Sequence, residues 1–142
     1  MIDLIKQLIH FSCNYDFIKE DLTEDFLKNY FIELLYRDRL IIDFSDKLIG
    51  YIEYWNINFE QLGRLMCIES FNIFEEDIES GHICYVSNIT VHPNYRLTDS
   101  LNRMKQDLFK RNENCKYFTG VRNKKTSPVK IFKKEVIQHG YV

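Results

Sequence analysis

Few side chains in this sequence combine a reactive type with a telling position. Glu53 lies in Ile49-Gly50-Tyr51-Ile52-Glu53-Tyr54-Trp55. Strand alternation puts Tyr51, Glu53 and Trp55 on one face. A carboxylate set among aromatic rings is a candidate general base, and a solvent-facing strand residue is the plainer alternative. His82 and His92 bracket a β-rich run, and each is a candidate base or simply a turn histidine. Cys84 lies inside that run, where it reads as a nucleophilic thiol or, more simply, as a buried strand cysteine. The remaining Cys13, Cys67 and Cys115 are far apart with no CxxC pair, which favours buried reduced thiols. His10, His82, His92 and His139 show no ligand spacing, so no metal is expected.

Charge is split along the chain. Residues 1–80 carry 7 Lys/Arg against 17 Asp/Glu, and residues 81–142 carry 12 against 4. A basic half can meet phosphates, an acidic protein partner, or the acidic half of a second copy, so self-association is one expectation. Arg96, Arg103, Lys105, Arg122, Lys124, Lys125, Lys130, Lys133 and Lys134 make up the basic set. No nucleic-acid motif accompanies them, and nucleic acid is not the expected partner.

The elements that must position these residues are legible from periodicity. Ile2, Ile5, Leu8 and Ile9 predict an amphipathic helix over 2–12, followed by a turn at Asn14–Asp16. Phe26, Leu27, Tyr30, Phe31, Leu34 and Leu35 predict a helix over 23–37, capped by Asp21 or Thr23. Arg39–Phe44 and Leu48–Trp55, separated by Ser45-Asp46-Lys47, read as a β-hairpin. Residues 58–80 suit either a broken helix or an irregular strand, and Ser80-Gly81 is a turn. His82–Val91 is a strand ended by Pro93, and a helix over 100–111 follows it directly. Lys116–Val121 is a further strand, Asn123–Ser127 a polar loop, and Pro128 opens a last helix through Lys134.

This order predicts a single α/β (α+β) domain over 1–142. With no alanine, 5 Gly and 2 Pro, the chain is rich in large apolar side chains and can fill a core. No apolar run reaches the roughly 20 residues of a membrane span, and the N-terminus lacks a basic signal-like region, so a cytoplasmic protein is expected. The lack of alanine beside abundant Ile, Lys, Asn, Phe and Tyr suggests an AT-rich genome, viral or bacterial.

Cys84–Arg96 followed by a turn and a helix resembles the central motif of the GNAT acyl-CoA N-acyltransferase superfamily, in which a strand ends in Val-x-Pro-x-Tyr-Arg. A narrower resemblance, to the toxin-activating lysine acyltransferases, runs through Tyr54-Trp55, Glu76–Gly81, Tyr85–Ile89, Leu101–Phe109 and Phe118–Arg122. The resemblance implies a central mixed, mostly antiparallel sheet flanked by helices. It also implies acyl transfer from a thioester, on acyl-CoA or an acyl carrier protein, to an amine. Ile89 and Val91 would then offer backbone donors to the thioester. Arg96, Leu97, Thr98, Asp99, Ser100 and Leu101 would form the diphosphate turn at the helix start, with Asn123 in the loop after the next strand.

The departures are specific. Both small positions of the Gly-rich turn are lost, and Asp99 adds a repelling charge. Ser87 stands where many of these enzymes have a Glu base, and the toxin-activating enzymes place an Asp near Ser87 or Asn88. Their N-terminal catalytic His aligns near Lys19, and the usual Tyr acid aligns with Phe132. The alternative expectation is therefore a catalytically degenerate protein of this fold, acting as a binding or assembly module.

Overall fold

The computed structural model describes residues 2–16, 19–67, 71–120 and the backbone of 130–133. The first helix, α1 (Ile2–Tyr15), runs past the expected turn at Asn14, whose side chain donates to the His10 carbonyl at 2.7 Å. Helix α2 (Glu24–Tyr36) is capped by Thr23, whose hydroxyl accepts the Phe26 N–H at 3.2 Å. The hairpin forms as its alternation demands. Strand β1 (Leu40–Phe44) pairs antiparallel with β2 (Leu48–Ile57), Leu40 opposite Glu53 and Ile42 opposite Tyr51.

The ambiguous stretch resolves as helix. Helix α3 (Phe59–Met66) opens with a reciprocal capping box between Asn58 and Gln61, and α4 (Ile73–Glu76) is one short turn. The next elements are β3 (Ile83–Val91), a 3-10 turn at Pro93–Tyr95, α5 (Ser100–Arg111) and β4 (Tyr117–Gly120). The expected last helix through Lys134 is corrected. Lys130–Lys133 form β5, antiparallel to β4 with Phe118 opposite Phe132. Lys-Ile-Phe-Lys has the β-forming centre that extends a sheet edge, which outweighs a proline start signal.

The sheet order is β1-β2-β3-β4-β5. It is mixed: β1–β2 and β4–β5 pair antiparallel, and β3 and β4 pair parallel, in register from Ile83–Tyr117 to Val86–Gly120. A parallel neighbour needs a crossover, and α5 provides it. The chain divides into two compact units. One comprises residues 1–53 and 89–104, the other residues 54–88 and 105–142. In the first, Phe11 and Phe31 meet Tyr51 edge-on at 5.7 and 5.8 Å between ring centres. In the second, Trp55 meets Phe74 at 5.1 Å and Phe109 meets Phe118 at 4.7 Å. Ten consecutive residues of β2 are buried, so this strand belongs wholly to the core.

Candidate functional site

In the first unit, the face of β2 that carries Tyr51 and Glu53 meets a buried polar cluster. Glu53 is 1% exposed, which removes the solvent-facing alternative. Its Oε1 lies 2.6 Å from the Lys19 ammonium as a close ion pair, and its Oε2 accepts the Tyr30 hydroxyl at 2.8 Å. The same ammonium donates to Asp16 Oδ2 at 2.9 Å, and Tyr51 donates its hydroxyl to that oxygen at 2.5 Å. Lys19 also lies over the rings of Tyr30 and Tyr51, at 5.2 and 5.6 Å from their centres. Burial, followed by the charges of Asp16 and Glu53, pushes the Tyr51 phenol far above its ordinary range. Tyr51 therefore stays protonated and serves as a donor. The cluster joins the end of α1, the face of α2 and the middle of β2.

Sequence reasoning singled out Glu53 here and missed its partners. One signal was present: Asp16 and Lys19 stand three residues apart around the apolar pair Phe17-Ile18. An aspartate and a lysine at that spacing can pair, and a buried charge is tolerated only when it is paired.

The same unit contains the turn from β3 to α5. His92 donates its backbone N–H to the Ile49 carbonyl at 2.7 Å, and its Nδ1 accepts the Asn94 N–H at 3.1 Å. That contact fixes a turn-capping role for His92, whose ring lies between Tyr15 and Tyr95 at 4.6 and 5.5 Å. Ile89 is exposed, Val91 half-buried, and Arg96, Leu97, Thr98 and Asp99 exposed, while Ser100 is buried and Leu101 half-buried. Thr98 donates its hydroxyl to the Tyr95 carbonyl at 2.6 Å and receives the Ser100 N–H at 3.4 Å. Asp43 of β1 accepts from the Ser100 hydroxyl and from Arg103 Nη2, the latter at 2.9 Å. Gly50 lets this strand end approach closely: a Cβ there would meet the Thr90 carbonyl oxygen at 2.7 Å.

In the second unit, the Trp55 indole N–H donates to the Ser87 hydroxyl at 3.0 Å. Ser87 and Asn88 are half-buried on β3, just beyond the described register with β4. Cys84 is buried, in keeping with a strand cysteine, and Cys115 is buried beside Asn56, whose side-chain amide lies 3.3 Å from its sulfur. Cys13 and Cys67 are exposed, which corrects the expectation of four buried thiols. Both lie on or just past outward positions of short amphipathic helices. His82 is exposed. Asn123 and the basic residues Arg122, Lys124, Lys125 and Lys134 lie outside the described residues. Among the described residues no group of three or more His, Cys, Asp or Glu could hold a metal ion, and no helix is long and apolar enough to cross a membrane.

No family model and no curated sequence matches the chain. Its fold does match solved structures. A GNAT-like decarboxylase, GphF, in complex with isobutyryl-CoA superposes with a TM-score of 0.64 at 11% identity, covering 84% of this chain. The chain spans 61% of that protein's length. The loading GNATL domain of CurA from Lyngbya majuscula gives a TM-score of 0.57 at 14% identity, over 89% of this chain and 67% of that one. A predicted acetyltransferase from Clostridium acetobutylicum, solved with acetyl-CoA, gives 0.53 at 15% identity, over 100% of this chain and 86% of that one. The mixed sheet with one parallel pair bridged by α5, flanked by helices, is therefore a GNAT-like fold.

Proposed function

We propose that this chain handles acyl thioesters and transfers the acyl group from coenzyme A or a carrier protein to an amine. The observation that carries the reading is the β3–α5–β4 unit in a fold shared with proteins solved with acyl-CoA. Strand β3 runs on for five residues after Val86 to Val91, and its backbone N–H groups are the natural donors to a thioester carbonyl. In the reaction the amine nitrogen attacks the thioester carbon, the carbon–sulfur bond breaks, and the thiolate leaves. The proton shed by the nitrogen passes through water to the departing sulfur. Glu53 is a poor candidate for that proton, because Lys19 and Tyr30 already engage its carboxylate. Ser87, holding the Trp55 indole, and the neighbouring Asn88 would line the strand beside the thioester rather than act as bases.

The engagement of Glu53 and Ser87 also supports a second reading, a thioester-binding module without transfer chemistry. Native mass spectrometry with acetyl-CoA, a long-chain acyl-CoA and a loaded acyl carrier protein tests both, followed by thiol release in the presence of a lysine-containing acceptor. Binding with amine-dependent thiol release supports transfer. Binding without release supports the module. A folded protein that binds none of these donors refutes both readings.

A further inference from the structure

We infer that Thr119 contacts the bound acyl thioester, its hydroxyl donating to the thioester carbonyl at the point where β3 and β4 part. This deepens the reading above and rests on it. Thr119 is 0% exposed, and its Oγ1 has no hydrogen-bond partner among the described residues. Most buried side-chain hydroxyls in folded proteins are hydrogen-bonded. One left without a partner is destabilising, and it calls for a partner from outside the chain, either a ligand or an internal water.

The fold sets this hydroxyl at the closed end of an opening. Thr119 faces Tyr85 in the parallel pairing, and the described register ends one residue later, at Val86 opposite Gly120. Tyr85 and Thr119 are buried, whereas Val86, Ser87 and Gly120 are half-buried, so exposure begins at the same step on both strands. Side chains alternate along a strand, and facing residues of a parallel pair share a side of the sheet. Thr119 therefore lies on the side of Tyr85 and Ser87, where the Ser87 hydroxyl receives the Trp55 indole N–H at 3.0 Å. The other side carries Phe118, covered by Phe109 of α5 at 4.7 Å between ring centres. At about 4.8 Å between strands and about 3.3 Å per residue, the Cα atoms of Thr119 and Ser87 are roughly 8 Å apart. That leaves room for a carbonyl group between the two strands. A thioester lying against β3 just past Val86 thus has strand N–H groups on one side and the Thr119 hydroxyl on the other. A carbonyl oxygen has two lone pairs and accepts from both. Both bonds strengthen as negative charge builds on that oxygen during attack by the amine.

The test compares the wild type with Thr119→Val and Thr119→Ser. Valine keeps the shape and removes the hydroxyl, whereas serine keeps the hydroxyl and removes the methyl group. Calorimetry measures binding of acetyl-CoA, dodecanoyl-CoA and an acyl-loaded carrier protein, and urea midpoints followed by circular dichroism report folding. The expected result is a crossed pattern. Thr119→Val keeps or raises the urea midpoint and weakens binding of the donor about fivefold. Thr119→Ser lowers the midpoint and recovers most of that affinity. With carbon-13 at the thioester carbonyl, the infrared band of the bound donor should lie at higher frequency in Thr119→Val than in the wild type. Thr119→Ala takes the place of valine if that variant fails to fold. A hydroxyl-free variant that binds the donor as tightly as the wild type, or leaves the carbonyl band in place, overturns this inference and leaves the thioester reading standing. If its urea midpoint also falls, the hydroxyl serves an internal water instead. A folded wild type that binds no donor overturns the thioester reading itself, and this inference with it.

Discussion

Replacing Lys19 with methionine tests whether the buried cluster is held by charge or merely filled by packing. Methionine keeps most of the stem and removes the ammonium. In the native protein that ammonium lies 2.6 Å from Glu53 and 2.9 Å from Asp16, and the three side chains are no more than 4% exposed. Lys19→Met leaves two buried carboxylates without their shared cation. Breaking a buried pair from one side costs about 3–5 kcal/mol. For a chain of this length that is roughly a 10–15 °C fall in Tm.

The informative assay is a double-mutant cycle in urea with Glu53→Gln as the second substitution, read at neutral pH by circular dichroism. Glu53→Gln keeps an acceptor for Tyr30 and loses the charge facing residue 19. If charge pairing dominates, Lys19→Met costs less in the Glu53→Gln background, and the coupling is on the order of 1–3 kcal/mol. Single effects that add to within about 0.5 kcal/mol would refute the reasoning and reduce Lys19 to a packing residue.

Other outcomes follow from neighbouring geometry. Tyr51 has its phenol raised by burial and by Asp16 and Glu53, so the folded state retains that proton where an unfolded tyrosine, with an ordinary value of 10.0, loses it. Its contribution is complete below that pH and is lost above it, at about 1.4 kcal/mol per pH unit. Urea denaturation between pH 9 and 11 should show this slope in the wild type and a shallower one in Tyr51→Phe. Trp55 is the sole tryptophan, so Ser87→Ala, which removes an acceptor of its indole N–H, should shift its emission and cost about 1–3 kcal/mol; an unchanged spectrum and stability would count against that hydrogen bond. Gly81→Ala would drive a Cβ to 2.5 Å from the Ile57 carbonyl oxygen and should destabilise by more than about 2 kcal/mol. Gly63→Ala, inside α3 with nothing within 4 Å of the new Cβ, should instead stabilise by about 0.5–1 kcal/mol. Thermal melts of both variants compare the two signs directly.

The sequence by itself determined the elements whose signals are local. The hairpin was legible because two β-rich runs flank a polar tripeptide, and α5 because Thr98, Asp99 and Ser100 are helix-capping residue types and Leu101, Met104, Leu108 and Phe109 follow at helical spacing. The strand-to-turn motif around Val91-His92-Pro93 pointed to the GNAT-like fold through its resemblance to that family's central motif. The C-terminal strand was not legible, because a four-residue segment takes its conformation from the edge it pairs with. The expected site was legible only as positions. Glu53 could be placed on the Tyr51 face of β2 by alternation, but its partners come from 34 residues upstream at Lys19 and from Tyr30 on another helix. No local pattern encodes which cation reaches a buried carboxylate. The same holds for Asp43, which lies 57 residues before the Ser100 it engages. Tertiary structure decided these pairings, because a buried charge must find its complement wherever packing brings one within reach, and that distance is not written along the chain.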